Sequence, residues 1–530
     1  MRHWVRTTPL LLLLALAAPA QAAILPGAAV DGPSNTIDAT ARPDIDVAPD
    51  DSAALVYLKN DSGVNHPFVS RLVNGAWATP QRVDSDSVNA ASGPHIAVAN
   101  GGKVVVTYIS GGNAVARISP GPGSAFGAEH IVQAGGSFAD VDLSPNGNGY
   151  VVAESSNDVF AERLDDTTWT DVAAAGALDS DPTQEAGGGN RQVRVVASPD
   201  GGGGAMAWGE LLPTPGDGED VFVRRLTGSS AGSPHGTRLP LGSLPNTVAG
   251  SGKTADQPAV GMDAGGTIWV VFRQNFTYGA TDRNRAIARS ITGETVGSGQ
   301  LVDKMGDAPT EGRDFQQIDV NGPGQGLLTH HGNLTNGLEW ASLGGGTWTA
   351  NGLANDGDNA SVPQAIPALG ENGSGLLAYS FKAGTGDNTA SARTTLGGLG
   401  QQFALSNPAF GVVTSSVDAA AGSGAFAAAA FVQQSGNAAT TNRLVAAVVD
   451  LPQPPGDGGP GADTTPPDVT RFRITRKRFR VGGLGTVIKW SQSEAGTDTI
   501  RFERRVNGRW RKVRRKMRFQ ATAGDQKLRF

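Results

Sequence analysis

Seven side chains stand out as able to do chemistry together: Trp208, Glu210, Arg273, Asn275, Tyr278, Asp282 and His330. They lie in or beside three stretches where apolar patterning lapses and turn residues gather: 209–220 (GELLPTPGDGED), 273–285 (RQNFTYGATDRNR) and 330–337 (HHGNLTNG). Flat apolar faces ringed by amides, hydroxyls and charges are what saccharide binding asks for, since rings stack on the faces while polar groups fix the hydroxyls. Long loops collect the same residue types for solubility, so position in a loop is a hint of function and no more.

Other patterns are weaker. Acidic pairs recur at similar places, Asp84 with Asp86, Asp179 with Asp181, Asp303 with Asp307 and Asp356 with Asp358. Calcium, which takes six to eight oxygen ligands, is the one ion such a pattern would suit. Asp also favours turns for its own reasons, and no pair extends into an EF-hand, so no cofactor is expected. His330-His331 is a poor metal pair, because adjacent strand residues point to opposite faces. Residues 201–204 are four glycines with no following helix and no Lys-Ser or Lys-Thr, and the stretch before Gly252-Lys253-Thr254 has Thr247 where a P-loop needs its first glycine. Nucleotide binding is excluded on those grounds.

The elements that must position these groups come from a repeat. The stretch 95–120 (HIAVANGGKVVVTYISGGNAVARISP) has three short apolar runs broken by Gly and Asn, and variants of it recur at roughly fifty residues. Aligned on the first hairpin, the units are 44–59, 95–110, 139–155, 193–210, 259–274, 317–331, 365–380 and 416–433. Eight hairpins imply an all-β, eight-bladed propeller of four-stranded blades, with seven blades as the alternative. Gly, Asn and Asp at the turns supply the positive φ that tight hairpins demand. A third strand carries an arginine in nearly constant register (Arg71, Arg117, Arg163, Arg225, Arg289, Arg393), expected to be structural, with the stem over apolar surface and the head in water, rather than a polyanion site. The last unit lacks a fourth strand, and residues 27–46 match the fourth-strand region 81–97 in kind and order. The N-terminal segment is therefore expected to complete the eighth blade, which leaves no exposed edge.

The turns Ser144-Pro145-Asn146-Gly147 and Ser198-Pro199-Asp200-Gly201 resemble the Asp-box-related turns of sialidase-like propellers, although no unit spells the full Ser-x-Asp-x-Gly-x-x-Trp. That resemblance implies a carbohydrate-related propeller and, in its hydrolytic form, an arginine clamp, a Tyr nucleophile activated by Glu and a carboxylic acid. Here the family's Phe-Arg-Ile-Pro motif is absent, Phe272-Arg273-Gln274-Asn275 sits in the fifth unit, and Tyr57, Tyr108, Tyr150 and Tyr379 fall on second strands as core residues. The reading favours a non-catalytic binding or cell-surface protein for glycans, with a sialidase-like hydrolase or lyase as the rival.

Composition frames the rest. Residues 1–22 have Arg2 and Arg6, an apolar core 10–18 and Ala20-Gln21-Ala22, the layout of a secretory signal. The run is too short to span a bilayer, where about 20 residues are needed. With no cysteine in the chain, disulfide and thiolate chemistry are both excluded. The expected organisation is a signal at 1–22, a propeller at 23–450, a Pro/Gly-rich spacer at 451–467 and a basic segment at 468–530, in a secreted or surface-associated monomer. After Thr464-Thr465-Pro466-Pro467, that last segment resembles the immunoglobulin-like or fibronectin-type modules of exported bacterial proteins, here incomplete against the roughly 100 residues such a sandwich takes. It holds 19 Lys and Arg against 5 Asp and Glu, while the rest of the chain holds 24 against 44. So basic a pole should be drawn to anionic envelope polymers.

Overall fold

The computed structural model describes residues 24–453 apart from 86–87, 173–177, 180–184, 212–217, 228–235, 243–253, 279–280, 304–312, 333–336, 355–364, 383–386 and 436–440, together with strand backbone between 469 and 529. Contacts divide the chain into two units, Met1–Pro454 and Pro455–Phe530. In the second, Val469–Ile474, Val487–Gln492 and Gly524–Arg529 form one antiparallel sheet, and Gly496–Val506 pairs with Arg509–Ala521. No helix among the described residues is long and apolar enough to cross a membrane.

The first unit is an eight-bladed β-propeller. Its innermost strands are Asp44–Val47, Ala91–Val98, Phe138–Leu143, Arg194–Ala197, Ala255–Met262, Arg313–Val320, Ala365–Leu369 and Asp418–Ala421. Each blade is an antiparallel meander outward from its inner strand. Alternation decides which side of an inner strand is dry: Ile45 and Val47, or Val141 and Leu143, are buried while the residues between them are half-buried. The turns work as the sequence implies, with Gly147, Gly201, Gly324 and Gly373 at φ of 87, 76, 80 and 80°.

The core is a set of layers between blades rather than one centre. The buried apolar residues of the described chain fall into eight clusters, each between neighbouring blades; one joins Tyr150 and Val152 to Val195 and Met206, another joins Leu55 and Tyr57 to Ala428 and Ala430. That last layer lies between the first and eighth blades, so the ring is closed. Closure is by the N-terminal strand Ile24–Ser34, which pairs antiparallel with Asn442–Asp450, Ile24 opposite Val449 and Ser34 opposite Asn442. Gly27 is required there, since a Cβ would lie 2.4 Å from Val445 Cγ1.

The third-strand arginines are structural, and Arg71, Arg117, Arg163 and Arg289 are buried rather than held in water. Arg71 and Arg163 are 9% and 6% exposed. Arg71 donates to the carbonyl of Gly102 at 2.6 Å, Arg163 to that of Gly201 at 3.2 Å and Arg225 to that of Gly266 at 2.7 Å, each a turn glycine of the next blade. A positive-φ turn points its carbonyl away from its own sheet, and the guanidinium, with donors to spare, is the group that can reach across to it.

Candidate functional site: the mouth of the central channel

Where the inner strands converge they enclose a cavity of about 540 Å³. Its opening lies at the end where inner strands begin and second strands finish, past Arg42, Gly93 and Pro94. Taking the first residue of each aligned inner strand around the ring gives Asp44, His95, Asp140, Arg194, Ala259, Gln317, Ile366 and Asp418. The third position gives Asp46, Ala97, Asp142, Val196, Gly261, Asp319, Ala368 and Ala420. Charge in the upper ring is therefore confined to the arc from blade eight through blade four, while blades five to seven present a neutral arc. In the lower ring, carboxylates come from blades one, three and six alone.

These carboxylates first serve the ring itself. An innermost strand has a free edge whose N–H groups need acceptors. Asp44 accepts from the N–H of Ile96 at 2.7 Å, Asp140 from Val195 at 3.3 Å and Asp418 from Ile45 at 2.8 Å, each reaching into the next blade. One step deeper, Asp46 accepts from Val98 at 2.6 Å, Asp142 from Ala197 at 2.7 Å and Asp319 from Leu369 at 2.7 Å. Asp46 and Asp142 also accept from the following residue of their own strand, both at 2.8 Å, so both oxygens are engaged.

The two rings differ in electrostatics. Burial pushes Asp46 up to about 6 and Asp319 up to about 7, with neighbouring carboxylates adding to the effect, and lifts Asp142 well above the carboxylate range. In the upper ring burial acts in the same sense on Asp44, but His95 and Arg42 overcome it and hold that carboxyl well below the usual range. His95 responds in kind: burial alone would lower it, yet Asp44 and Asp140, 3.5 and 3.8 Å from Nδ1, raise it. Arg42 pairs with Asp418, which burial and the adjacent Asp44 push upward. Phe138 completes the charged arc, edge-on to His95 at 5.4 Å and beneath the Arg194 guanidinium at 5.3 Å. The upper ring thus offers fixed donors and acceptors side by side.

The residues singled out from sequence lie elsewhere. Trp208 and Glu210 are fully buried in blade four, the indole donating to Glu210 at 3.1 Å while Arg238 pairs with Glu210 and lies over Phe222. Residues 273–285 are mostly strand rather than loop: Ile268–Tyr278 and Thr281–Thr292 pair in unbroken register to the tip, Thr277 opposite Asp282 and Tyr278 opposite Thr281. The side chains of Tyr278 and Asp282 are outside the described residues. Arg273 is clamped between Asp256 of blade five and Asp314 of blade six, and Asn275 bonds across the hairpin to Asn284 at 3.0 Å. His330 is 1% exposed on a strand, with Nε2 3.3 Å from the carbonyl of Val302. Of the acidic pairs, Asp84 bonds to His66 and Arg82 and Asp303 to Arg285, while Asp86, Asp181, Asp307, Asp356 and Asp358 lie outside the described residues. The four second-strand tyrosines are core, 0–2% exposed. What the sequence reading missed, the polar first and third positions of the inner strands, was visible in the aligned repeats as Asp-Ile-Asp-Val, Asp-Val-Asp-Leu and Gln-Ile-Asp-Val.

No protein-family model and no curated protein matches the chain. Among solved structures, the chain is similar to the BP39L lectin of Burkholderia pseudomallei, at 10% identity over 69% of this chain and 99% of that one, with a TM-score of 0.45. It is similar also to the polysaccharide lyase Uly1, at 9% identity over 80% and 91% with a TM-score of 0.43. A third is an α-L-arabinanase of Penicillium chrysogenum, at 13% identity over 81% and 98% with a TM-score of 0.35.

Proposed function

We propose that this propeller is a non-catalytic glycan-binding protein, exported under its N-terminal leader, whose ligand sits at the mouth of the central channel. The observation that carries the reading is the upper ring. Arg42, Asp44, His95, Asp140, Arg194 and Asp418 alternate donors and acceptors around one arc, Arg42 paired with Asp418 and His95 with Asp44 and Asp140, while Arg194 lies over Phe138. Neighbouring sugar hydroxyls each donate and accept, so a wall of pre-oriented charges matches them without reorganisation on binding.

A sialidase-type reaction would place a tyrosine nucleophile in this cavity, and the four described tyrosines are packed inside blades. The rival reading keeps one foothold: Asp44 and Asp418 are adjacent carboxyls whose surroundings push them apart, one down and one up, the pattern of a glycosidase pair. The test is calorimetric binding of an oligosaccharide panel to the mature chain, paired with turnover of chromogenic glycosides. Binding that falls at least tenfold in Asp44→Asn, without turnover in the parent, is expected. Turnover that Asp44→Asn or Asp418→Asn abolishes would make the protein a hydrolase.

A further inference from the structure

A second, smaller recess of about 110 Å³ opens beside the channel mouth, between blades four, five and six. Arg194 and Gln317 line both cavities, so the two lie side by side. Its walls are built of amides: Asn190 and Gln192 from blade four, Gln257 from blade five, Gln316 and Gln317 from blade six, with the ring of Phe315. Among the described residues no carboxylate lines it, and its one charged side chain is Arg194. The two carboxylates nearest in sequence, Asp256 and Asp314, are both taken up by Arg273.

Three features set this recess apart from ordinary polar surface. Gln316 is 2% exposed, yet neither its amide nitrogen nor its carbonyl oxygen has a hydrogen-bond partner among the described residues. Buried polar side chains are nearly always satisfied, so an amide left unpaired at both ends in the wall of a cavity is an exception that calls for a role. Secondly, Gln257 and Phe315 have left-handed backbone, φ 52 and 56°, each at a register shift in its inner strand. The matching shift in blade two uses Gly93 at φ 53°, the residue that adopts this conformation freely. Larger side chains stay in such a conformation only where the surroundings enforce it. Thirdly, the amides are already linked: the N–H of Phe315 donates to Gln257 Oε1 at 2.6 Å, and Gln257 Nε2 lies 3.5 Å from Asn190 Oδ1.

We propose that this recess is a sugar-ring subsite for an uncharged saccharide unit, one residue of the glycan that the channel mouth holds. An amide donates and accepts within one rigid plane, the complement of two neighbouring hydroxyls. The volume is roughly that of four liquid waters, enough for the polar edge of one ring but not for an oligosaccharide.

The inference rests on the glycan reading of the channel mouth, and the experiment separates the two. Xylo-, manno-, cello- and galacto-tetraose, with tetragalacturonate as the acidic arm, are titrated into the full mature chain and into Gln316→Leu, Gln257→Gly and Asp44→Asn. Binding of a neutral tetraose is expected to weaken about tenfold or more in Gln316→Leu and in Gln257→Gly, while Gln316→Leu melts at or above the parent temperature because an unsatisfied amide has been removed. A purely structural Gln316 would instead give a lower melting temperature with unchanged affinity, which overturns the subsite. Loss of binding in Asp44→Asn alone keeps the channel site and overturns the subsite. Preference for tetragalacturonate overturns the neutral class, and failure of every neutral tetraose to bind overturns both proposals.

Discussion

Replacing Asp319 by Asn should stabilise the protein by an amount that grows between pH 5 and pH 8. Asp319 is buried in the lower ring, its Oδ2 accepting from Leu369 at 2.7 Å. Burial, then the charges of Asp46 and Glu371, push it up to about 7 from its ordinary 3.8. The folded chain therefore holds a proton that the unfolded chain has released. The associated stability is complete below the unfolded value and is lost as pH rises toward 7. From pH 5 to 8 the remaining shift of roughly two units, at about 1.4 kcal/mol each, removes about 3 kcal/mol. Asn does not titrate. Its carbonyl can still accept from Leu369, but its amide faces the N–H of Val320 that the carboxyl had satisfied, at a pH-independent cost of about 1 kcal/mol. With an unfolding entropy of about 2 cal/mol/K per residue over roughly 430 residues, 1 kcal/mol moves the midpoint by about 1 °C. By pH 5 release from the unfolded chain has already cost the parent about 1.5 kcal/mol, so Asp319→Asn should melt within about 1 °C of the parent at pH 5 and about 3 °C above it at pH 8, read by differential scanning calorimetry. Parallel midpoints across that range would refute the buried, proton-holding account of the lower ring.

Two further outcomes follow from the architecture and the charge distribution. Deleting residues 24–34 removes the strand that closes blade eight, together with the bonds that Asp31 accepts from Lys59 at 2.8 Å and from Tyr57. The variant should aggregate or melt at least 10 °C lower, whereas removal of 468–530 should leave the propeller transition within about 2 °C; an unchanged midpoint for the strand deletion would show that the ring does not depend on it. The basic segment should make the mature protein co-sediment with anionic envelope at low salt and release it at about 0.5 M salt, where screening shortens to a few ångströms; equal retention after cutting behind Pro467 would place adhesion on the propeller.

The scaffold was legible because a repeat repeats its errors too. Misplacing one turn in a unit such as 139–155 is corrected by seven others, and period-two alternation with Gly at the turns admits few alternatives. The closing strand was legible for a related reason: a propeller with three strands in one blade must find a fourth. The site was harder to see because its polarity is carried by single positions on strands four residues long, such as Asp44 and Asp46, and looks like ordinary alternation until the ring places eight of them around one axis. Loop composition misled in the opposite direction. The aromatic and charged residues of 273–285 belong to a long hairpin, and Glu210 is turned inward to Arg238, because sequence records which groups are present but not which neighbours have already claimed them. Arg273 is the exception of interest. It is not itself in a cavity, yet by pairing with Asp256 and Asp314 it engages the two carboxylates that flank the adjoining amide recess in sequence.

The N-terminal strand is separated from its partner Asn442–Asp450 by some four hundred residues of chain. Made first, it is seated last, since its acceptor edge does not exist until the eighth blade has formed. Closure over so long a loop is slow, because contacts of such high sequence separation are reached only after the intervening blades have ordered. Throughout that interval a molecule carries both a loose strand and a vacant edge that fits it residue for residue, and a neighbour's strand fits the edge equally well. At high concentration the kinetic competitor of self-closure is therefore strand exchange, so refolding yield should fall with protein concentration through reciprocal dimers and open chains of propellers linked end to end.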